Sequence, residues 1–143
     1  MNSQLDDQFE RQFFTYVLDR AVPGNATQDP NALQILSDAD FEWWWVIASR
    51  TSNLLKVLMK EAATGRDFIQ ASVQQQGSAA FNGINIDNWC GTAQGNASFP
   101  LAVPYILPAT RVYTLLFSDT SGVTNTVQLC FSGFKLWPRP SVQ

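Results

Sequence analysis

Apolar residues recur with a period of two over several short stretches of this 143-residue chain, and clusters of turn-forming residues separate those stretches. Alternation at that period marks strands, whose successive side chains point to opposite faces. Phe13 to Val22 (FFTYVLDRAV) is rich in aromatic and branched residues and stops at Pro23-Gly24-Asn25. It reads as a strand ended by a turn, although Phe9, Phe13 and Val17 also have helical spacing. A polar loop over 25–31 precedes a short strand over Leu33–Leu36, and Ser37-Asp38-Ala39-Asp40 supplies the next turn. FEWWWVIAS, starting at Phe41, follows as a strand. Ser52 to Gly65 (SNLLKVLMKEAATG) fits two patterns. Leu54, Leu58 and Ala62 share a helix face, with Ser52 or Asn53 as cap and Gly65 as stop, whereas Leu55, Val57 and Met59 fit strand alternation. Propensity leans to helix.

Residues 70–98 are rich in Gly, Asn, Gln and Ser, with Phe81, Ile84, Ile86 and Trp89 as scattered apolar anchors. Phe99 to Pro108 holds three prolines, which exclude a helix interior and confine a strand to an edge or bulge. Arg111–Ser118 and Thr126–Trp137 read as strands joined through a loop around Gly122, and a hairpin is the expected arrangement. Short strands with turns between them, and no alternating helices, predict an all-β sandwich or barrel. The expected organisation is an amino-terminal arm (1–12) with Leu5 and Phe9 as its large apolar residues, a domain (13–137), and a tail (138–143) broken by two prolines.

The chain has five tryptophans, and three of them are consecutive. Strict alternation puts Phe41, Trp43, Trp45 and Ile47 on one face and Trp44, Val46 and Ala48 on the other. A sandwich strand needs one buried face, so the first set is expected in the core and the second under a cover, either the same chain or another. Trp44 and Val46 are accordingly candidate interface residues, Trp44 as an aromatic anchor. On a partner surface, Leu5 and Phe9 of the arm are candidates to lie in grooves of a neighbouring subunit. A homo-oligomer, dimer or trimer, is the expected state.

Composition narrows the function. An apolar share of 45% with 15% charged residues belongs to a globular chain rather than a disordered one. A net charge of −3 lacks the broad cationic field that nucleic-acid or acidic-membrane partners require, so neither is expected. The first residues have neither the basic nor the apolar region of a signal peptide, and the longest apolar run, Trp43–Ala48, is far below the roughly 20 residues of a membrane span. Synthesis and retention on the cytoplasmic side are expected.

Catalysis finds little to work with. The absence of histidine removes the commonest general base and every Ser-His or Cys-His nucleophile. Cys90 and Cys130 lie outside any CxxC spacing and are too few for a zinc site; two reduced, partly buried thiols are expected rather than a disulfide. Asp38, Asp40 and Glu42 alternate, a minor candidate set for a hard cation, but the glycine and distant glutamate of a calcium loop are missing. No phosphate loop, nucleophile elbow or dinucleotide fingerprint is present. The expectation is a non-enzymatic protein without catalytic residues, metal or cofactor.

One further pattern extends over most of the chain, from about Phe13 to Trp137. It comprises Thr64-Gly65-Arg66, Trp89-Cys90-Gly91-Thr92-Ala93-Gln94, Phe99-Pro100-Leu101-Ala102-Val103-Pro104-Tyr105 with Pro108-Ala109, Asn125-Thr126-Val127-Gln128-Leu129, and Gly133-Phe134-Lys135-Leu136. This series resembles short virion proteins of tailed bacteriophages, the jelly-roll cement or decoration proteins that sit on the outside of the capsid shell. The resemblance implies a jelly-roll-like β-sandwich, a major capsid protein as partner, a place on the virion surface, strand and turn over SNLLKVLMKEAATGRDF, and a sandwich loop over the Gly/Asn-rich segment. The chain departs from the family in the triple Trp and Cys90, to which the resemblance gives no role. A head-to-tail joining or tail component is the alternative within a virion, and a carbohydrate-binding β-sandwich with tryptophans as stacking platform is the alternative outside it.

Overall fold

A computed structural model describes residues 8–66, 83–89, 91–92 and 99–139. The described chain forms strands β1 (Phe9–Val22), β2 (Asp29–Gln34), β3 (Asp40–Arg50), β4 (Leu55–Glu61) and β5 (Ile84–Asn85), a one-turn helix α1 (Ile86–Trp89), and strands β6 (Gly91–Thr92), β7 (Phe99–Leu107), β8 (Val112–Asp119) and β9 (Asn125–Pro138). Two antiparallel sheets pack as a β-sandwich. The larger runs β1-β9-β3, with β7 and the short parallel β6 sharing the far side of β3; the smaller runs β2-β8-β4-β5. Strand pairs are nested: β1 with β9, β2 with β8, β3 with β7, β4 with β5. This is a long hairpin rolled up so that β9 also joins β3 and β8 also joins β4, which is the jelly-roll arrangement.

The period-two pattern explains the layers. Tyr16, Val22, Phe41, Trp43, Leu129 and Phe131 of the larger sheet face Leu33, Leu55, Val57, Met59, Tyr113, Leu115 and Phe117 of the smaller one, and all are buried. Each Leu-sized side chain so buried contributes about 1.5–3 kcal/mol. Those contributions override the helical propensity of 55–61, which is strand: Leu55, Val57 and Met59 point inward while the segment pairs with β8 on one side and β5 on the other.

Two further expectations are corrected. β8 and β9 are not a hairpin, because they belong to different sheets and the loop between them is a corner. The corner is held by Asn125, which is fully buried. Its amide donates to Asp119 Oδ2 and to the Ser52 carbonyl, at 2.9 Å each, and its oxygen accepts from the Thr51 and Ser52 N–H groups at 3.0 Å. The loop residues signal a turn either way; bonds to residues remote in sequence, such as those of Asn125 to Thr51 and Ser52, direct it across the sandwich. β1 also begins earlier than expected, at Phe9, so four residues of the proposed arm are sheet, paired from Phe9↔Pro138 onward.

Candidate interaction surface

Strict alternation fails inside the tryptophan triplet. Trp43 pairs with Gly133 of β9 and Trp45 pairs with the adjacent Ser132, so Trp44 is the extra residue of a β-bulge. Beyond the bulge the parity is reversed. Phe41 and Trp43 face the core, and so do Val46 and Ala48, whereas Trp45 and Ile47 turn outward. Val46, expected as an outward interface residue, is therefore a core residue with 0% exposure. Trp45, expected in the core, is half-buried on the outer face against Phe134.

Each indole has a separate role. Trp43 is fully buried, edge-on to Phe131 and Trp89, and its Nε1 donates to the Trp45 carbonyl at 2.8 Å across the bulge. Trp44, half-buried, donates from Nε1 to Glu42 Oε1 at 2.9 Å. The same oxygen accepts from Arg11 Nε of β1 at 3.0 Å, so a carboxylate only 4% exposed is held between two donors. Burying a carboxylate without such partners would be costly.

The outcome is a row of aromatic rings across the outer face of the larger sheet. Trp44 and Trp45 lie 5.9 Å apart between ring centroids, Trp45 and Phe134 6.0 Å, and Phe134 and Phe13 6.1 Å, so the row crosses from β3 over β9 to β1. Phe13, at the β1 end, is 62% exposed, and Val17, beyond Thr15 on the same face, is 50% exposed. Val17 is paired with Cys130, a free and partly buried thiol whose pKa is pushed up by burial and then by the Asp19 charge. The surface continues an apolar patch through partly buried Ile47.

Of the expected interface residues, Trp44 lies on this face, Phe9 is partly buried at the start of β1, and Leu5 lies outside the described residues, as does Cys90. The alternating acidic set does not converge. Asp38 accepts from Lys135 Nζ at 2.6 Å, which holds its carboxyl below the usual range; Asp40 accepts from the Ala109 N–H; Glu42 faces Arg11 and Trp44. Phe13 and Phe134, the β1 and β9 members of the aromatic row, carry no local signal of it, since they come from opposite ends of the chain. No protein-family profile matches this chain, and no curated protein or solved structure matches it.

Proposed function

We propose that this chain is a virion structural protein, a cement or decoration subunit that binds the outer surface of the major capsid protein shell and associates with itself. The observation that carries the proposal is an aromatic row on the open face of a jelly-roll sheet, where a single copy leaves Phe13 and Val17 in water. An apolar sheet face of this kind is a docking surface rather than a reaction site. Weak contacts per copy suffice when a lattice repeats them. The sequence resemblance of 13–137 to phage cement proteins supports the same function, and the arm residue Leu5 remains part of it as a neighbour contact.

The test is made on particles. Phage particles lacking the protein are expected to break at milder heat or lower osmotic stress than particles carrying it, and electron microscopy is expected to locate it on the shell. Unchanged robustness overturns cementing, and density at the neck or tail replaces it with a joining role. A carbohydrate-binding module is the second possibility, favoured by the Trp44 and Trp45 rings being inclined by only 32°. The other neighbours in the row meet at 63° and 79°, edge to face, and provide no common platform for a sugar. Glycan-array binding that disappears in Trp44→Ala would favour the module.

A further inference from the structure

β1 is an edge strand of unusual length, 14 residues, and among the described residues it has a strand neighbour on one side only, β9. Natural edges are normally short, bulged or guarded, because an open row of N–H and C=O groups recruits another strand. This one is regular throughout its pairing with β9, and it carries exposed Phe13 and Val17 on the outer face. We propose that β1 pairs antiparallel with β1 of a second copy about a two-fold axis through Thr15, joining the two larger sheets into one. The inference deepens the self-association in the proposed function but stands on the strand itself.

The register follows from self-complementarity. In an antiparallel pair, residues directly opposite share a face, so a two-fold axis at Thr15 places each residue opposite the one equally far beyond it. Phe13 then meets Val17 of the copy, an aromatic and β-branched pair on the outer face. Arg11 meets Asp19, and Glu10 meets Arg20, so both charge pairs are of opposite sign. On the inner face Phe14 meets Tyr16 and Gln12 meets Leu18. Moving the axis one residue either way, to Phe14 or Tyr16, destroys the match: Arg11 falls opposite Val17 or Ala21, and Glu10 opposite Leu18 or Val22. The charges at the ends of β1 thus select a single pairing, and opposite-charge cross-strand pairs favour it while like-charge ones would oppose it. The occupant of this edge is a second copy of the same chain.

The experiment uses the full chain in solution. Sedimentation equilibrium is expected to show a dimer at tens of micromolar, on the order of the weakest specific association. Val17→Lys puts a charge opposite Phe13 of the copy at an exposed site; it is expected to leave the near-UV circular dichroism unchanged and weaken the dimer by about tenfold or more. Phe13→Glu with Val17→Lys places opposite charges face to face in this register and restores the dimer. In a background of Cys90→Ser and Cys130→Ser, Thr15→Cys is expected to form an intermolecular disulfide, since directly opposed Cα atoms are about 4.5–5.5 Å apart. Asp19→Cys is not, because its two copies stand eight positions apart along the ribbon, about 26 Å. A monomeric wild-type protein, a V17K variant as dimeric as wild type, or no cross-link through Thr15→Cys would each overturn the inference. Decoration of particles by a monomer would overturn it while leaving the cement function standing, and a β1 dimer that binds no particle would do the reverse.

Discussion

A Cβ on Gly133 would overlap the Glu42 carbonyl, because the bulge brings the β3 backbone against β9 at that point. Gly133 and the extra Trp44 are two halves of one device, and together they settle where the neighbouring indoles go. Trp43→Ala removes a fully buried ring and the donor to the Trp45 carbonyl, and is expected to cost about 3–5 kcal/mol. Trp44→Ala leaves buried Glu42 without one of its donors, an expected loss of about 2 kcal/mol. Trp45→Ala removes a half-exposed ring that packs on Phe134, and about 1 kcal/mol is expected. Denaturant unfolding of the three variants measures the order; equal losses at Trp43 and Trp45 would mean that the parity does not reverse. The glycine inside an alternating strand is a bulge signal that the sequence does carry. It does not say which partner strand takes up the extra residue.

At the scale of elements, carboxylates tie strand ends together. Asp29 of β2 accepts from Arg20 of β1 through both oxygens, at 2.6 and 2.8 Å, and Arg20 holds its pKa below the usual carboxylate range. Burial would raise the Asp119 pKa, but hydrogen bonds from Ser121 and Asn125 outweigh it and the net shift is downward. The Asp38 carboxyl is lowered by Lys135, whose ammonium also lies 4.0 Å above the Phe14 ring. All three bind protons more weakly folded than unfolded, so their stabilisation is complete above the unfolded pKa of about 4 and is lost as pH falls through the folded values. The melting temperature is therefore expected to be flat from about pH 5 to neutrality and to fall steeply below about pH 4. Asp119→Asn should lower the neutral melting temperature and flatten the acid limb; an unchanged acid limb would remove the corner from this account.

For the whole molecule, the nesting of strand pairs puts the first strand beside the last, and among the described residues the larger sheet has no pair formed by consecutive strands. Loop closure must precede most of the stabilising contacts, which makes folding slow for the chain length. Tryptophan fluorescence in stopped-flow refolding is expected to recover in the millisecond-to-second range typical of such topologies. Deletion from Ser132 onward is expected to abolish folding, because β1 loses its partner over Phe9 to Thr15 and Trp43 loses its neighbour on β9. A cooperative melt in that truncated chain would show that the sheet is not organised around β9.

Much of this architecture is legible in the chain itself. Period-two runs mark β1, β3, β8 and β9, because pleated backbone geometry forces alternation wherever one face is buried. The turns at Gly24-Asn25 and around Gly122 are marked too, and Asn25 and Gly122 do adopt positive φ, a conformation open to few residue types. Three matters were left to tertiary structure. The helical leaning of 55–61 amounts to a few tenths of a kcal/mol per residue, and burying Leu55, Val57 and Met59 between two strand neighbours exceeds it severalfold. The choice of sheet at the β8–β9 corner rests on Asn125 bonding to Ser52, residues remote in sequence. The outward face of Trp45 and the burial of Val46 follow from one extra residue at a bulge, since a single-residue shift in a strand of period two exchanges its faces and only the paired strand fixes where that shift occurs.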